Sequence, residues 1–187
     1  MPTKIDDQRL DAASAAKHPQ IAAYAGRAAG ELPVLGYAAT MGFFVTGFGT
    51  LVLVARIGRR LPRRIAFSDI LLLGIATHTL SRVLTSARVA IPLRVPFTRY
   101  EGSDGAGQVK ERPRGGGLRR AIGSLVTCPF CLGPWVATSL CAGLLFAPRA
   151  TRLATSVFAM VAVSDFLHQG YAAARRASPK HARATSR

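Results

Sequence analysis

From Leu35 to Ala55 the chain carries no charged side chain. A helix over Leu35–Ile57 rises ~1.5 Å per residue and is long enough for a ~30 Å hydrocarbon layer. A small soluble domain has no place to bury such a run. Three further apolar segments follow in the 187 residues. Ile65–Thr85 is interrupted by Asp69, His78 and Arg82. Ala121–Ala147 contains Pro129 and Pro134, and Leu153–Ala174 carries Asp165 and His168. The pattern predicts an all-α integral membrane helical bundle of four spans, a three-span core plus one N-terminal span.

Charge supports this class. Lys and Arg number 25 against 9 Asp and Glu, for a pI near 11.4. That balance alone would suit a nucleic-acid binder. Basic segments set between apolar runs are instead what the positive-inside rule produces, and they argue against nucleic acid as partner. With four spans, one side of the membrane receives residues 1–34, the loop Arg82–Arg120 and the C-terminal tail. That side holds 18 positive residues against 7 on the other. The expected location is the cell membrane, multi-pass, with both termini cytoplasmic.

Residues 1–34 form a polar, alanine-rich tail, and residues 175–187 a basic one. The transmembrane domain occupies 35–174, and its basic Gly/Pro-rich loop 86–120. Within that loop, Ile91–Tyr100 alternates prolines, bulky apolar residues and arginines. Prolines at 92 and 96 disfavour a regular helix. The expected form is extended chain on the membrane surface, apolar groups down and arginines on anionic lipid headgroups. Gly102–Gly117 is Gly- and charge-rich and predicts a flexible loop. In the third apolar segment, Pro134 suits the first turn of a helix running through Phe146. Counted from there, that helix is too short to span, so its lead-in from Ala121 to Thr127 must also lie within the membrane or its interface. Pro148–Arg152 predicts a turn. Asp69 lies near one end of its span and can reach the headgroups. In the first span, small residues at four-residue spacing (Ala38, Gly42, Thr46) would let another helix approach closely. The expected partners are the bilayer, its anionic headgroups and a second copy of the chain in a homo-oligomer.

The most distinctive chemistry is Thr127-Cys128-Pro129-Phe130-Cys131-Leu132-Gly133-Pro134-Trp135. A Cys-x-x-Cys pair at a helix start is a candidate redox couple, because the partial positive charge there stabilises thiolate. The βαβ context of a thioredoxin-like motif is absent, and only Cys141 remains for a second relay. Zinc is the other chemistry open to the pair. Cys128 and Cys131 supply two ligands, and His78, Asp165 and His168 are the candidates to complete a site. A third reading makes the cysteines small polarizable residues at a kinked helix junction, with Trp135 anchoring the interface. Arg82 and Asp165 are the candidate polar pair of the bundle, since intramembrane charges seek partners.

Two blocks carry a family resemblance. One is Ser68-Asp69-Ile70-Leu71-Leu72-Leu73-Gly74-Ile75-Ala76-Thr77-His78 with Leu80-Ser81-Arg82. The other is Pro96-Phe97-Thr98-Arg99-Tyr100-Glu101-Gly102, preceded by Pro92-Leu93-Arg94 and followed by the Cys128–Trp135 run. Over about residues 65–172 the chain resembles a bacterial membrane-protein family of unknown function that includes the YjcA-like sporulation proteins. The resemblance implies an integral membrane protein and supplies no activity, ligand or catalytic residue. The expected role is a non-enzymatic membrane or assembly component. The alternatives are a thiol–disulfide protein using Cys128 and Cys131, or a Cys/His/Asp metal-binding protein.

Overall fold

The computed structural model describes residue 20 and residues 33–62, 64–105 and 107–177. The N-terminal tail read at 1–34 and most of the C-terminal tail read at 175–187 lie outside these residues. Six helices and one two-stranded sheet are present among the described residues. Helix α1 is Val34–Ile57, α2 Phe67–Ser86, α3 the single turn Ile91–Arg94, α4 Gly117–Val126, α5 Pro129–Phe146 and α6 Pro148–Ala177. Strands β1, Thr98–Ser103, and β2, Val109–Pro113, form an antiparallel hairpin. Helices α1, α2, α5 and α6 are each long and apolar enough to cross a membrane.

The first two spans lie close to their expected bounds. Helix α1 ends because Arg59 turns to φ 50°. The Arg60 N–H then reaches the Ala55 carbonyl at 2.9 Å, and the Arg59 N–H reaches that of Arg56 at 3.1 Å. This satisfies carbonyls that a helix end leaves open, although the left-handed position usually falls to glycine.

The third and fourth spans differ from expectation. Pro129, not Pro134, occupies the first turn of α5, and Pro134 sits inside the helix. Starting at Pro129 gives α5 18 residues, about 27 Å, close to the hydrocarbon thickness. Its lead-in is therefore not needed to span. It forms the separate helix α4, broken from α5 at Thr127 and Cys128. Residues 148–152 are not a turn. Proline fits an N-terminal helical position, so α6 begins at Pro148 and continues through Ala177. Between α5 and α6 only Ala147 is non-helical. A Cβ on Gly143 would lie 2.6 Å from Thr151 Oγ1, so this tight reversal depends on glycine.

The loop 86–120 departs furthest from expectation. Pro92 falls within the first turn of α3, where its missing N–H costs nothing, and Pro96 follows the helix end. The prolines bound a helical turn instead of forbidding one. The Gly-rich segment is the hairpin. Thr98 pairs with Pro113, Tyr100 with Glu111 and Ser103 with Val109, with a bulge between Tyr100 and Gly102. Gly105 and Gly107 take φ 73° and 77° at its turn, a region open to glycine and strained for most residues. An isolated bridge joins Gln108 to Ala87, fastening the hairpin to the end of α2.

Helix α2 packs mainly against α5 and α6. The buried positions of α2 and α6 are mostly small: Ala76 and Thr79 on one, Thr155 and Ala162 on the other. Small residues let helices approach closely and gain dispersion where lipid offers no hydrophobic drive. Helix α1 stands apart. Only Gly36 and Ala55 are buried along it. A Cβ on Gly36 would lie 2.7 Å from Gly117 O, so α1 crosses α4 at a glycine. Farther along, Phe43 and Phe44 meet Trp135 of α5 at ring separations of 5.9 and 5.0 Å.

Candidate functional site

Charged residues in the long helices are brought together in pairs. Arg152 Nε and Nη2 donate to Asp69 Oδ1 and Oδ2 at 2.9 and 2.8 Å, a two-point fork. Asp69 is thus turned into the bundle and not toward headgroups, its side chain 8% exposed. Arg82 Nη2 donates to Asp165 Oδ2. Each pair spans 83 positions of sequence. Equal offsets mean that α2 and α6 run parallel and in a fixed register. The charges are reciprocal, acid then base on α2, and base then acid on α6. Within each helix they lie thirteen residues apart, about 140° around the axis at 3.6 residues per turn. The two pairs therefore hold the seam from different sides, and resist rolling as well as sliding.

A third pair sits in the loop. The Arg94 side chain is 1% exposed and that of Glu111 4% exposed. Arg94 Nε and Nη2 donate to Glu111 Oε2 and Oε1 at 2.8 and 3.4 Å. Its remaining donors reach the Leu84 and Ala87 carbonyls at 2.7 and 3.2 Å. The Thr98 hydroxyl donates to Glu111 Oε2 at 3.0 Å. The Arg94–Glu111 pair thus ties the end of α2, helix α3 and β2 together, and Thr98 adds β1 through Glu111. Arg94, expected among the arginines on lipid phosphates, is withdrawn from them.

The cysteines occupy the start of α5. Cys128 is the N-cap, and its sulfur accepts the Cys131 N–H at 3.2 Å. Both are free, as is Cys141. Among the described residues no three His, Cys, Asp or Glu side chains are grouped to hold a metal ion. His78 lines a shallow apolar groove of about 400 Å³ between α2 and α6, with Ile70, Gly74, Ala162 and Phe166. His168 is exposed on α6, and Asp165 is engaged by Arg82.

Sequence reasoning missed the Asp69–Arg152 and Arg94–Glu111 pairs. The first had a legible signal, because Asp69 to Arg82 and Arg152 to Asp165 repeat one spacing with inverted sign. The second had none, because nothing in the basic loop singles out Glu111 over Glu101 or Asp104 and its partners meet only through the hairpin register.

The fold and its charge pairs define a protein with four membrane-length helices and a small surface module built on a hairpin. Residues 72–171 match the family described as Protein of unknown function (DUF1360), and the chain belongs to that family. The match runs from α2 into α6 and takes in the hairpin, while α1 lies outside it. No curated protein and no solved structure matches the chain.

Proposed function

We propose that the chain is an integral protein of the cell membrane with a non-enzymatic role, as a membrane or assembly component. The hairpin side and both termini are cytoplasmic. The observation that carries this reading is the pairing of Asp69 with Arg152 and Arg82 with Asp165. Ionisable residues in membrane helices are candidates for function. Here two pairs join α2 to α6, which fits a structural use. The sidedness rests on the 18-to-7 distribution of positive residues. Kinship with the YjcA-like sporulation proteins rests on the Pro96–Gly102 and Cys128–Trp135 blocks and is part of the same proposal.

The test is a charge exchange. Arg82→Asp alone should abolish stable accumulation in membranes, and Arg82→Asp with Asp165→Arg should restore both accumulation and any phenotype of gene loss. A double variant that inserts and folds but does not restore the phenotype would point to chemistry at the pair. Maleimide labelling of Cys128 from each side of the membrane tests the orientation. Labelling from the outside alone would reverse it.

A second reading is favoured by one contact, the Cys131 N–H on the Cys128 sulfur, which sets both cysteines on one helix start. Loss of two electrons and two protons to a membrane quinone would join them as a disulfide. Alkylation trapping in intact cells checks this. A pair that is fully reduced under all growth conditions removes the reading.

A further inference from the structure

The segment that leaves α2 is folded inside out. Across Arg88–Ala90 and α3, the charged Arg94 points inward beside Ala90, at 1% and 5% exposure. Val89 and Leu93 point outward at 80% and 66% exposure, and Pro92 and Pro96 are exposed with them. Positions 89, 92, 93 and 96 have the spacing of one helical face. A module in water has no reason to present such a stripe. Two facts decide what covers it. The segment begins two residues beyond the end of α2, a helix of membrane-spanning length, so it sits at the edge of the hydrocarbon layer. Arginines also border the stripe. Arg88 starts it, and Arg119 reaches its far end by donating to the Pro96 carbonyl at 2.9 Å. Arg99 faces Arg112 across the hairpin; Arg112 is paired with Glu101 at 3.2 Å, and the exposed Arg99 is left to face the same surface as the stripe.

We propose that residues 88–96 are an interfacial anchor. Val89, Pro92, Leu93 and Pro96 seat at the acyl boundary of an anionic leaflet, and Arg88, Arg99 and Arg119 bind its lipid phosphates. The buried Arg94–Glu111 pair keeps the stripe facing outward. The anchor rests on the membrane reading above, since it needs α2 in a bilayer.

The test uses the full chain in proteoliposomes, with Cys128, Cys131 and Cys141 changed to serine. An environment-sensitive fluorophore is placed by Val89→Cys, Leu93→Cys or, as a mid-span reference, Met160→Cys. Probes at 89 and 93 should be quenched by lipids carrying a nitroxide near the headgroup and shielded from aqueous iodide. The probe at 160 should be quenched by a deep nitroxide. Quenching of 89 and 93 by iodide alone would overturn the anchor. So would protection from both quenchers, which would mean that a second copy or another protein covers the stripe. Failure of the deep nitroxide at 160 would instead overturn the membrane reading. Arg99→Gln and Arg119→Gln should each lower the preference for phosphatidylglycerol over phosphatidylcholine about fivefold. An unchanged preference in both would overturn the phosphate contacts.

Discussion

Helix α1 and the α2–α5–α6 group are built from similar apolar sequence and are held in different ways. The group has ion pairs at two levels, a seam of alanines and threonines, and a hairpin fastened to its end by a buried guanidinium. Helix α1 has one glycine crossing, the Tyr37 hydroxyl on Ser124 Oγ at 3.1 Å and aromatic contacts with Trp135, and just beyond its end Arg60 lies over the Phe146 ring, 5.1 Å from its centre. The difference teaches that hydropathy identifies a span without saying how firmly it is held. Firmness follows from groups that cannot be left alone in an apolar medium. Charges need partners, whereas Phe43 and Phe44 are as comfortable against lipid tails as against a protein.

The comparison can be broken most decisively in the hairpin. Glu111→Gln should cost about 3–5 kcal/mol, because it leaves Arg94 buried without its counter-charge. Hydrogen exchange should then rise across β1 and β2 while α1 is unaffected. Equal acceleration in α1 would show that the two regions are one cooperative unit. Next, Gly36→Val should destabilise the α1–α4 contact by about 1–3 kcal/mol through overpacking against Gly117. Trp135 is the chain's only tryptophan, so its emission should report the loss of Phe43 and Phe44. Exchange in the hairpin should stay unchanged. Trp135→Leu should weaken the same attachment by about 0.5–1.5 kcal/mol beyond lost area, read as easier cross-linking of α1 to lipid probes. The smallest effect has the opposite sign. Arg59→Gly should stabilise the end of α1 by about 1 kcal/mol, since Arg59 holds a left-handed conformation that glycine adopts freely. Detergent titration of the purified protein measures it.

The four spans were legible because length and hydropathy decide them, and Asp69, Arg82, Asp165 and His168 do not outweigh their apolar neighbours. The parallel register of α2 and α6 was present as a repeated spacing, and needed only the inverted sign to be compared. The hairpin was not legible. Thr98–Ser103 has no bulky alternation to mark a strand, and what holds it is Arg94, whose partners lie 10 and 17 residues away in Leu84 and Glu111. Local composition sees an arginine in a basic loop and assigns it to solvent. The break before α5 was expected from its prolines, but which proline opened the helix depended on Cys128 capping the turn at Cys131.

The equal offset of the two ion pairs also has a consequence in time. Helix α2 leaves the ribosome bearing an aspartate and an arginine whose partners are made 83 residues later. In a bilayer, each of these charges alone is costly. Helix α6 is made directly after α5, since only Ala147 separates them. In a bilayer, α2 would carry both charges without these partners until α6 has been made.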